Sequence, residues 1–378
     1  MDNIVKTDNE LWKVLSESSD IFEKSLDKLY KKQTGSYYTS LELTYLMMQD
    51  LVRGLDEGTR RVLYQKRFLE PCVGTGNFVF AYLRVCRELG FTNEQNIELL
   101  NNIYACDINR DALDIYKNGL KRLAKDYFGI YLDEAYFDSH IGSGLLFDVQ
   151  AADIQYIPIN TIFDQSVIKN GFDIVVTNPP YKNFRAEKSH YTDLEIYETD
   201  RKRYDEIGKL ANYYFSYAVT GTINLYKLFV EEILDRYLSP KGVCALLIPA
   251  SILSDKTCTK LRTHIIETMG ICSLRLIPED SKYVDASQAL CAMLLHKGGK
   301  TDTITIGGSI GKQEMNMTNV RLKDIISEKT GNAILVLTNN EYRIRNQMLK
   351  HPVIQDIPYI QNLRGELDLT LNKKYITI

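Results

Sequence analysis

From residue 66 onward, short apolar segments alternate with amphipathic segments, and this alternation restricts the fold more than any other feature of the chain. Seven apolar segments have the length of a single strand: 67–71, 102–108, 139–146, 172–180, 242–250, 272–278 and 289–297. Helical periodicity fills several intervals between them, at 93–102, 109–128 and 224–238. Such an order is typical of a mostly parallel sheet with helices on both faces. The sequence therefore predicts a Rossmann-like α/β domain with a seven-stranded sheet, whose ligands bind at the carboxyl ends of the strands.

The regions around and within this domain follow other patterns. We expect an N-terminal helical region at 1–65, where Ser40 caps a helix, and the α/β domain at 66–300. Residues 182–223 are charged and rich in tyrosine, which predicts a long inserted loop. Residues 301–378 combine strand-like and helical segments without a closing element, which indicates a linker and a partial C-terminal domain.

Composition excludes several classes of protein. No apolar run reaches membrane-spanning length, and the polar N-terminus is unlike a signal peptide. The seven cysteines include no C-x-x-C pair, and the five histidines include no H-x-x-x-H pair. We therefore expect reduced thiols, no disulfide framework and no metal site. The net charge of −3 neither supports nor excludes a nucleic-acid partner.

A glycine turn follows the first predicted strand. Gly74 and Gly76 allow a ligand to approach the backbone, and the following helix offers free N–H groups. A purely structural turn would explain this pattern about equally well if nothing else followed. The third glycine of the dinucleotide fingerprint is missing, so a mononucleoside such as S-adenosylmethionine fits better than NAD.

An acidic residue, Asp107, ends the second predicted strand. A carboxylate at this position can accept hydrogen bonds from both ribose hydroxyls of a nucleoside. The alternative interpretation is a cap for the helix that follows, and one carboxylate could serve both purposes.

The most informative motif is Asn178-Pro179-Pro180-Tyr181, at the end of the fourth predicted strand. Two prolines fix the backbone, so the Asn178 side-chain oxygen and the Pro179 carbonyl can accept both protons of a planar exocyclic amine. The adenine amine is a poor nucleophile, and two such acceptors stabilise the positive charge that develops on attack. Tyr181 offers a flat face on which the base can stack. A rigid turn at a strand end is the alternative interpretation.

The glycine turn, Asp107 and the Asn178–Tyr181 tetrapeptide follow one another in the order typical of one enzyme class. Over residues 30–300 the chain resembles this class, the gamma class of N6-adenine DNA methyltransferases of restriction–modification systems. The resemblance implies the class I methyltransferase fold, S-adenosylmethionine as cofactor, and DNA with a flipped adenine as substrate. It implies Asn178, Pro179, Pro180 and Tyr181 as catalytic residues, with Tyr283 on the other face of the base. The cofactor contacts that it implies are Thr34, Tyr38, Thr39, Glu70, Cys72, Gly74, Gly76, Asp107, Ile108, Ser143, Gly144, Asn178 and Phe229.

The chain departs from that class at two points. Ser143 stands where the class usually has an aspartate for the cofactor adenine. After residue 300 only 78 residues remain for a target-recognition domain, so we expect either a fragment of a longer enzyme or a separate specificity subunit. The residues before the first motif are too few for a fused nuclease domain.

The resemblance further implies a cytoplasmic protein with a restriction endonuclease or specificity subunit as partner, without membrane or metal. The basic residues of the inserted segment have two open interpretations. They could contact DNA phosphates, or they could belong to a solvated face on which charges are paired. These residues are Lys182, Arg185, Lys188, Arg201, Lys202 and Arg203. One alternative function is N-methylation of an RNA guanine or a protein glutamine, since the tetrapeptide serves those reactions too. A second is a non-catalytic DNA-binding subunit.

Overall fold

The computed structural model describes residues 2–27, 34–35, 37–147, 153–279, 288–310, 313–348, 350–352 and 357. They divide into two compact units, Met1–Leu335 and Val336–Ile378. In the second unit the described structure is chiefly one helix, Asn339–Met348, where the sequence predicts a helix.

The first unit is built on one nine-stranded sheet. Its strands are β1 (Phe68–Glu70), β2 (Ile103–Cys106), β3 (Ile141–Gly142), β6 (Phe172–Thr177), β7 (Leu238–Pro249), β8 (Met269–Ile277), β9 (Leu290–Lys297), β10 (Thr303–Ile310) and β11 (Gln313–Arg321). Two ribbons lie apart from this sheet, β4 (Leu146–Phe147) with β5 (Tyr156–Ile157), and β12 (Ile326–Ser327) with β13 (Ala333–Ile334). The order across the main sheet is β11-β10-β8-β9-β7-β6-β1-β2-β3.

Five neighbouring strands, β3, β2, β1, β6 and β7, are parallel. The antiparallel strand β9 lies between β7 and β8. The strands that follow β1 in sequence, β2 and β3, lie on one side of it, whereas β7 lies on the opposite side, beyond β6. The loops after β1 and β6 therefore lead in opposite directions. A crevice at this switch point is where open α/β sheets bind ligands.

The predicted α/β class and mostly parallel sheet are confirmed, but the sheet has nine strands where seven were expected. The additional strands are β10, which pairs with β8, and β11, which pairs with β10. Both lie after residue 300, in the region predicted as a separate partial domain. Their pairing continues the main sheet to Arg321.

Helices connect and cover the strands. Those of the first unit are α1 (Asp2–Ser25), α2 (Leu41–Gly54), α3 (Glu57–Arg61), α4 (Asn77–Arg87), α5 (Asn93–Asn101), α6 (Arg110–Phe128), α7 (Glu134–His140), α8 (Gln165–Ile168), α9 (Leu194–Tyr214), α10 (Leu225–Glu232), α11 (Thr259–Thr268) and α12 (Leu322–Ile325). Ser40 caps α2 as predicted, since its side chain accepts from the Leu43 N–H. Helix α1 buries Leu11, Leu15, Ser19 and Phe22, which share one face at helical spacing.

The inserted segment 182–223 was expected to be a loop, and this expectation is wrong, because it contains α9, a helix of 21 residues. Only Ile207 and Ala211 of this helix are buried, so its apolar stripe is too thin for periodicity to detect. Arg201 pairs with Glu198 and Asp205 along the helix surface, and such pairs stabilise a helix that buries little.

In the part of the chain that the structure describes, no helix is long and apolar enough to cross a membrane.

Candidate active site

A cavity with about 860 Å³ of empty volume, partly open to solvent, lies at the carboxyl ends of β1, β2 and β6. The predicted residues on its wall are Thr34, Tyr38, Thr39, Glu70, Cys72, Gly74, Asp107, Ile108, Gly144, Asn178, Pro180 and Phe229. Segments far apart in sequence therefore meet at one site, as the sequence predicts.

The cavity is electrostatically one-sided. Among its described wall residues, Glu70 and Asp107 are acidic and none is basic. Such a wall favours a cationic ligand and disfavours a pyrophosphate.

The glycine turn has two glycines with different structural roles. Gly74 has φ 51° and lies on the cavity wall, where an added Cβ would be 2.9 Å from the ring of Tyr38. Gly76 has φ 98°, and an added Cβ would be 2.5 Å from Tyr116 and 2.7 Å from Phe80. Gly76 does not line the cavity; it allows the first turn of α4 to pack closely against α6.

Asp107 is held by two backbone N–H groups. Its carboxylate accepts from Gly74 N at 2.7 Å and from Asn109 N at 2.8 Å. The following helix is capped by Asn109 and not by Asp107, because the Asn109 side chain accepts from Ala112 N at 3.1 Å. Burial raises the pKa of the Asp107 carboxyl group, and the N–H groups of Asn109 and Gly74 oppose the rise. The carboxylate is thus fixed at the cavity edge.

Glu70 is the most buried acidic side chain on the wall, with 1% of its surface exposed. Its Oε2 atom has no hydrogen-bond partner among the described residues. Burial and then the negative charge of Asp107 raise the pKa of Glu70 well above its usual range. Burial raises the pKa of the neighbouring Cys72 thiol as well, so that thiol stays protonated and is a poor nucleophile.

The Asn178 side chain is oriented by residues near the N-terminus. Its Nδ2 donates to the Tyr37 carbonyl at 2.8 Å and to Thr39 Oγ1 at 2.9 Å. Both amide hydrogens are therefore used, and Oδ1 is the remaining acceptor. Oδ1 accepts from the Tyr181 hydroxyl, which also lies 3.0 Å from the Leu247 carbonyl.

Tyr181 and Pro179 are not on the wall of this cavity. The Tyr181 ring is 8% exposed. Tyr37 stacks on it at 5.6 Å between ring centroids, and Tyr226 meets it edge-on at 6.2 Å. The face that the sequence assigns to a base is therefore covered by Tyr37.

The segment around Gly35 docks directly on the Asn178–Tyr181 tetrapeptide. The Gly35 carbonyl accepts from Tyr181 N at 2.9 Å. An added Cβ at Gly35 would lie 2.7 Å from Lys182 N, and φ there is 73°. Only glycine allows this close approach at a positive φ.

Helix α10 forms another wall and anchors the inserted segment. Phe229, 3% exposed, lines the cavity together with Leu225. On the same helix the buried Glu231 carboxylate accepts from Ser216 N at 2.6 Å, Tyr217 N at 2.9 Å and Ala218 N at 2.6 Å. The buried Lys227 donates to the Thr220 carbonyl at 3.0 Å.

Like Gly76, Pro179 and Tyr181, the predicted contact Ser143 is not among the described residues of the wall. Ser143 is exposed and does not line the cavity, whereas its neighbours Gly144 and Leu145 do. Gly144 packs so closely on Ile108 that an added Cβ would be 1.8 Å from it. Tyr283 lies outside the described residues. Wall residues that the sequence analysis did not select are Tyr37, Pro71, Val73, Thr75, Asn77, Phe78, Leu145, Phe147 and Leu225.

The basic side chains of the inserted segment are partly paired. Arg185 lies 3.6 Å from Glu187, and Lys182 lies over the Tyr204 ring at 5.2 Å. Lys188 and Lys202 are exposed. The seven cysteines are free thiols in this structure. Among the described residues no group of His, Cys, Asp and Glu could hold a metal ion.

Comparison with known proteins confirms the resemblance to restriction–modification methyltransferases. Residues 101–282, just under half of the chain, match the family model "Eco57I restriction-modification methylase". Type II methyltransferase M.VspI of Vibrio sp. (strain 343) is 34% identical over 105 residues, which are 28% of this chain and 21% of that protein. Type II methyltransferase M.CvrRI of Paramecium bursaria Chlorella virus XZ-6E is 21% identical over 321 residues, 84% of this chain and 63% of that protein. The matches thus span less than two thirds of either relative.

The fold is also found in solved structures. A modification subunit of a putative type I restriction enzyme from Vibrio vulnificus YJ016 matches with a TM-score of 0.52 at 14% identity, over 87% of this chain and 65% of that one. The chain therefore shares the fold of that modification subunit.

Proposed function

We propose that the chain is the catalytic part of an S-adenosylmethionine-dependent methyltransferase that acts on the N6 amine of adenine in DNA, within a restriction–modification system. The observation that carries this proposal is the position of Asn178. Its amide lies on the wall of the cavity and is oriented by hydrogen bonds from Nδ2 to the Tyr37 carbonyl at 2.8 Å and to Thr39 Oγ1 at 2.9 Å.

The cavity residues fit S-adenosylmethionine, which when bound supplies an electrophilic methyl group on a sulfonium ion. The described part of the wall is acidic and has no basic side chain, which suits a ligand with a sulfonium and an ammonium group. The Asp107 carboxylate has acceptor capacity for ribose hydroxyls beyond its two backbone contacts. Ile108, Phe229 and Gly144 supply an apolar, close-fitting surface for a purine ring.

Asn178 is proposed to accept a hydrogen bond from the target amine. The Tyr181 hydroxyl has one hydrogen and two acceptors in reach, Asn178 Oδ1 and the Leu247 carbonyl. When the hydroxyl turns to Leu247, Oδ1 is available to the amine at no loss of a buried hydrogen bond. Together with the Pro179 carbonyl it draws the two amine protons and stabilises the developing positive charge.

The target base is proposed to stack on Tyr181. Because Tyr37 now lies on that ring at 5.6 Å, entry of a base requires the Tyr37 ring to move. Tyr37 is held near the site by its own carbonyl, which accepts from Asn178, so the displaced ring remains close to the base. Stacking of a base on such rings contributes about 1–3 kcal/mol.

The remaining parts of the proposal concern partners. The inserted segment with α9 is anchored beside the tetrapeptide through Glu231 and Lys227, and its exposed lysines are proposed to contact DNA phosphates. Recognition of a specific sequence is assigned to a target-recognition domain that follows the main sheet, whose last strand ends at Arg321, or to a separate subunit. A restriction endonuclease partner and a cytoplasmic location complete the proposal.

The experiment is transfer of labelled methyl groups by the purified chain to three substrates in parallel: unmethylated DNA, ribosomal RNA and a glutamine-containing peptide. We expect label in DNA only, recovered as N6-methyladenine. Label in RNA or peptide would favour the alternative N-methyltransferase. Binding of DNA without transfer to any substrate, when the chain also binds no S-adenosylmethionine, would favour a non-catalytic subunit.

A further inference from the structure

Asn77, the first residue of α4, carries a buried oxygen atom without a partner. The side chain is 7% exposed and lies on the cavity wall. Its Nδ2 donates to the Thr39 carbonyl at 2.7 Å and to Ser19 Oγ at 3.1 Å. Its Oδ1 has no hydrogen-bond partner among the described residues.

The orientation of this amide is determined by its neighbours. A flipped amide would bring Oδ1 against the Thr39 carbonyl oxygen at about the same 2.7 Å, where two acceptors repel each other. Ser19 is itself fixed, because its Oγ lies 2.7 Å from Thr75 Oγ1. The unpartnered atom is therefore an acceptor and not a donor, and a buried acceptor without a partner is costly.

A second unpartnered acceptor lies on the same wall. Glu70 ends β1 and Asn77 begins α4, so the two residues flank the glycine turn. Glu70 Oε2 is buried and, like Asn77 Oδ1, has no partner in the described part of the chain. One neutral and one acidic acceptor, on a wall whose described residues include no basic side chain, match a primary ammonium group.

We propose that Asn77 is a cofactor-binding residue whose Oδ1, together with Glu70, receives the α-ammonium group of the methionine part of S-adenosylmethionine. This rests on the proposed function, which supplies the ligand. Ser19 on α1 is then a positioning residue, since it helps to orient the amide from outside the cavity.

The test is calorimetric binding of two ligands to the full chain: S-adenosylmethionine and an analogue in which hydrogen replaces the α-amino group. Wild type is expected to bind the analogue about 10- to 100-fold more weakly, as for loss of a hydrogen bond to a charged group. Asn77→Ala is expected to weaken S-adenosylmethionine by about tenfold and to leave the affinity for the analogue unchanged. Ser19→Ala should cause a smaller loss of affinity for S-adenosylmethionine and should also leave the affinity for the analogue unchanged.

Asn96→Ala is a matched control. Asn96 also has a buried, unpartnered Oδ1 and donates from Nδ2 to the Phe91 carbonyl at 3.2 Å, but it does not line the cavity. Neither ligand should respond to this change. Equal losses for both ligands in Asn77→Ala, or no loss, would overturn the inference while leaving the proposed function intact. If Asn77→Ala does not fold, the ligand dependence of Ser19→Ala decides. Failure of wild type to bind either ligand would refute the proposed function and the inference together.

Discussion

Replacing Glu70 by glutamine is expected to stabilise the ligand-free protein at neutral pH, although Glu70 is part of the proposed site. The carboxyl group is 1% exposed, its Oε2 has no partner among the described residues, and the neighbouring charge is the negative Asp107. An uncompensated buried polar group costs about 1–3 kcal/mol, and more when charged. A neutral amide of the same shape removes the charge penalty.

The sign of the pH dependence follows from the raised pKa of Glu70 in the folded protein. Below about pH 4.3, the ordinary pKa of glutamic acid, the group is protonated in both folded and unfolded chains, so wild type and variant should be equally stable. As the pH rises through the folded pKa, wild type loses stability because the unfolded chain releases the proton more readily. The advantage of Glu70→Gln should therefore grow with pH.

The assay is thermal unfolding of the ligand-free protein between pH 5 and 8.5. At about 2 °C per kcal/mol for a chain of this size, the expected rise in Tm at pH 8 is about 2–6 °C. Glu231→Gln is the matched control, because that carboxylate is also buried but accepts from three backbone N–H groups. The free energy of unfolding of this control variant should fall by about 1.5–3 kcal/mol. A Glu70→Gln protein that is less stable than wild type at pH 8, or a gap that does not change with pH, would refute the reasoning.

Three further perturbations test other parts of the site. Asp107→Asn should weaken S-adenosylmethionine binding about 10- to 100-fold in calorimetry. The reason is that the amide NH2 group would face a backbone N–H where the carboxylate now accepts. An unchanged Kd would contradict the proposal that Asp107 binds the ribose. Tyr181→Phe should retain single-turnover transfer within about tenfold, whereas Tyr181→Ala should lose about 10- to 100-fold; equal losses would mean that the ring is not the stacking surface. Gly76→Ala should lower the free energy of unfolding by about 2–5 kcal/mol in chemical denaturation. Gly90→Ala should lower it by only about 1–2 kcal/mol, because Gly90 has positive φ but open space around it. Similar losses would show that packing on Tyr116 does not matter.

The residues whose position on the cavity wall could be predicted from the sequence are those identified by short stretches of chain. A buried strand followed by a polar residue identifies Asp107 and Asn178, and parallel strands bring their carboxyl ends together. The α/β class follows from the same alternation.

Predictions that depend on tertiary packing were less successful. The stack of Tyr37 on Tyr181 joins residues far apart in sequence, and no local pattern indicates it. Asn77 was missed because its environment comes from Ser19 on α1 and from Thr39. Helix α9 was missed because only Ile207 and Ala211 of its 21 residues are buried, which leaves too little apolar periodicity to detect. Ser143 was selected by motif alignment, which does not show which neighbour the backbone turns toward the cavity.

The central claim is that Asn178 promotes transfer of a methyl group to the adenine amine. The most direct measurement is nucleoside mass spectrometry of DNA from a bacterial host that lacks adenine methylation and expresses either the wild-type chain or Asn178→Ala. Loss of an acceptor that stabilises the transition state lowers kcat by about 10²–10³. We therefore predict N6-methyladenine with the wild-type chain and a level near background with the variant, at equal protein abundance. Equal N6-methyladenine from both chains, or its absence from both while each binds S-adenosylmethionine and DNA, would contradict the account.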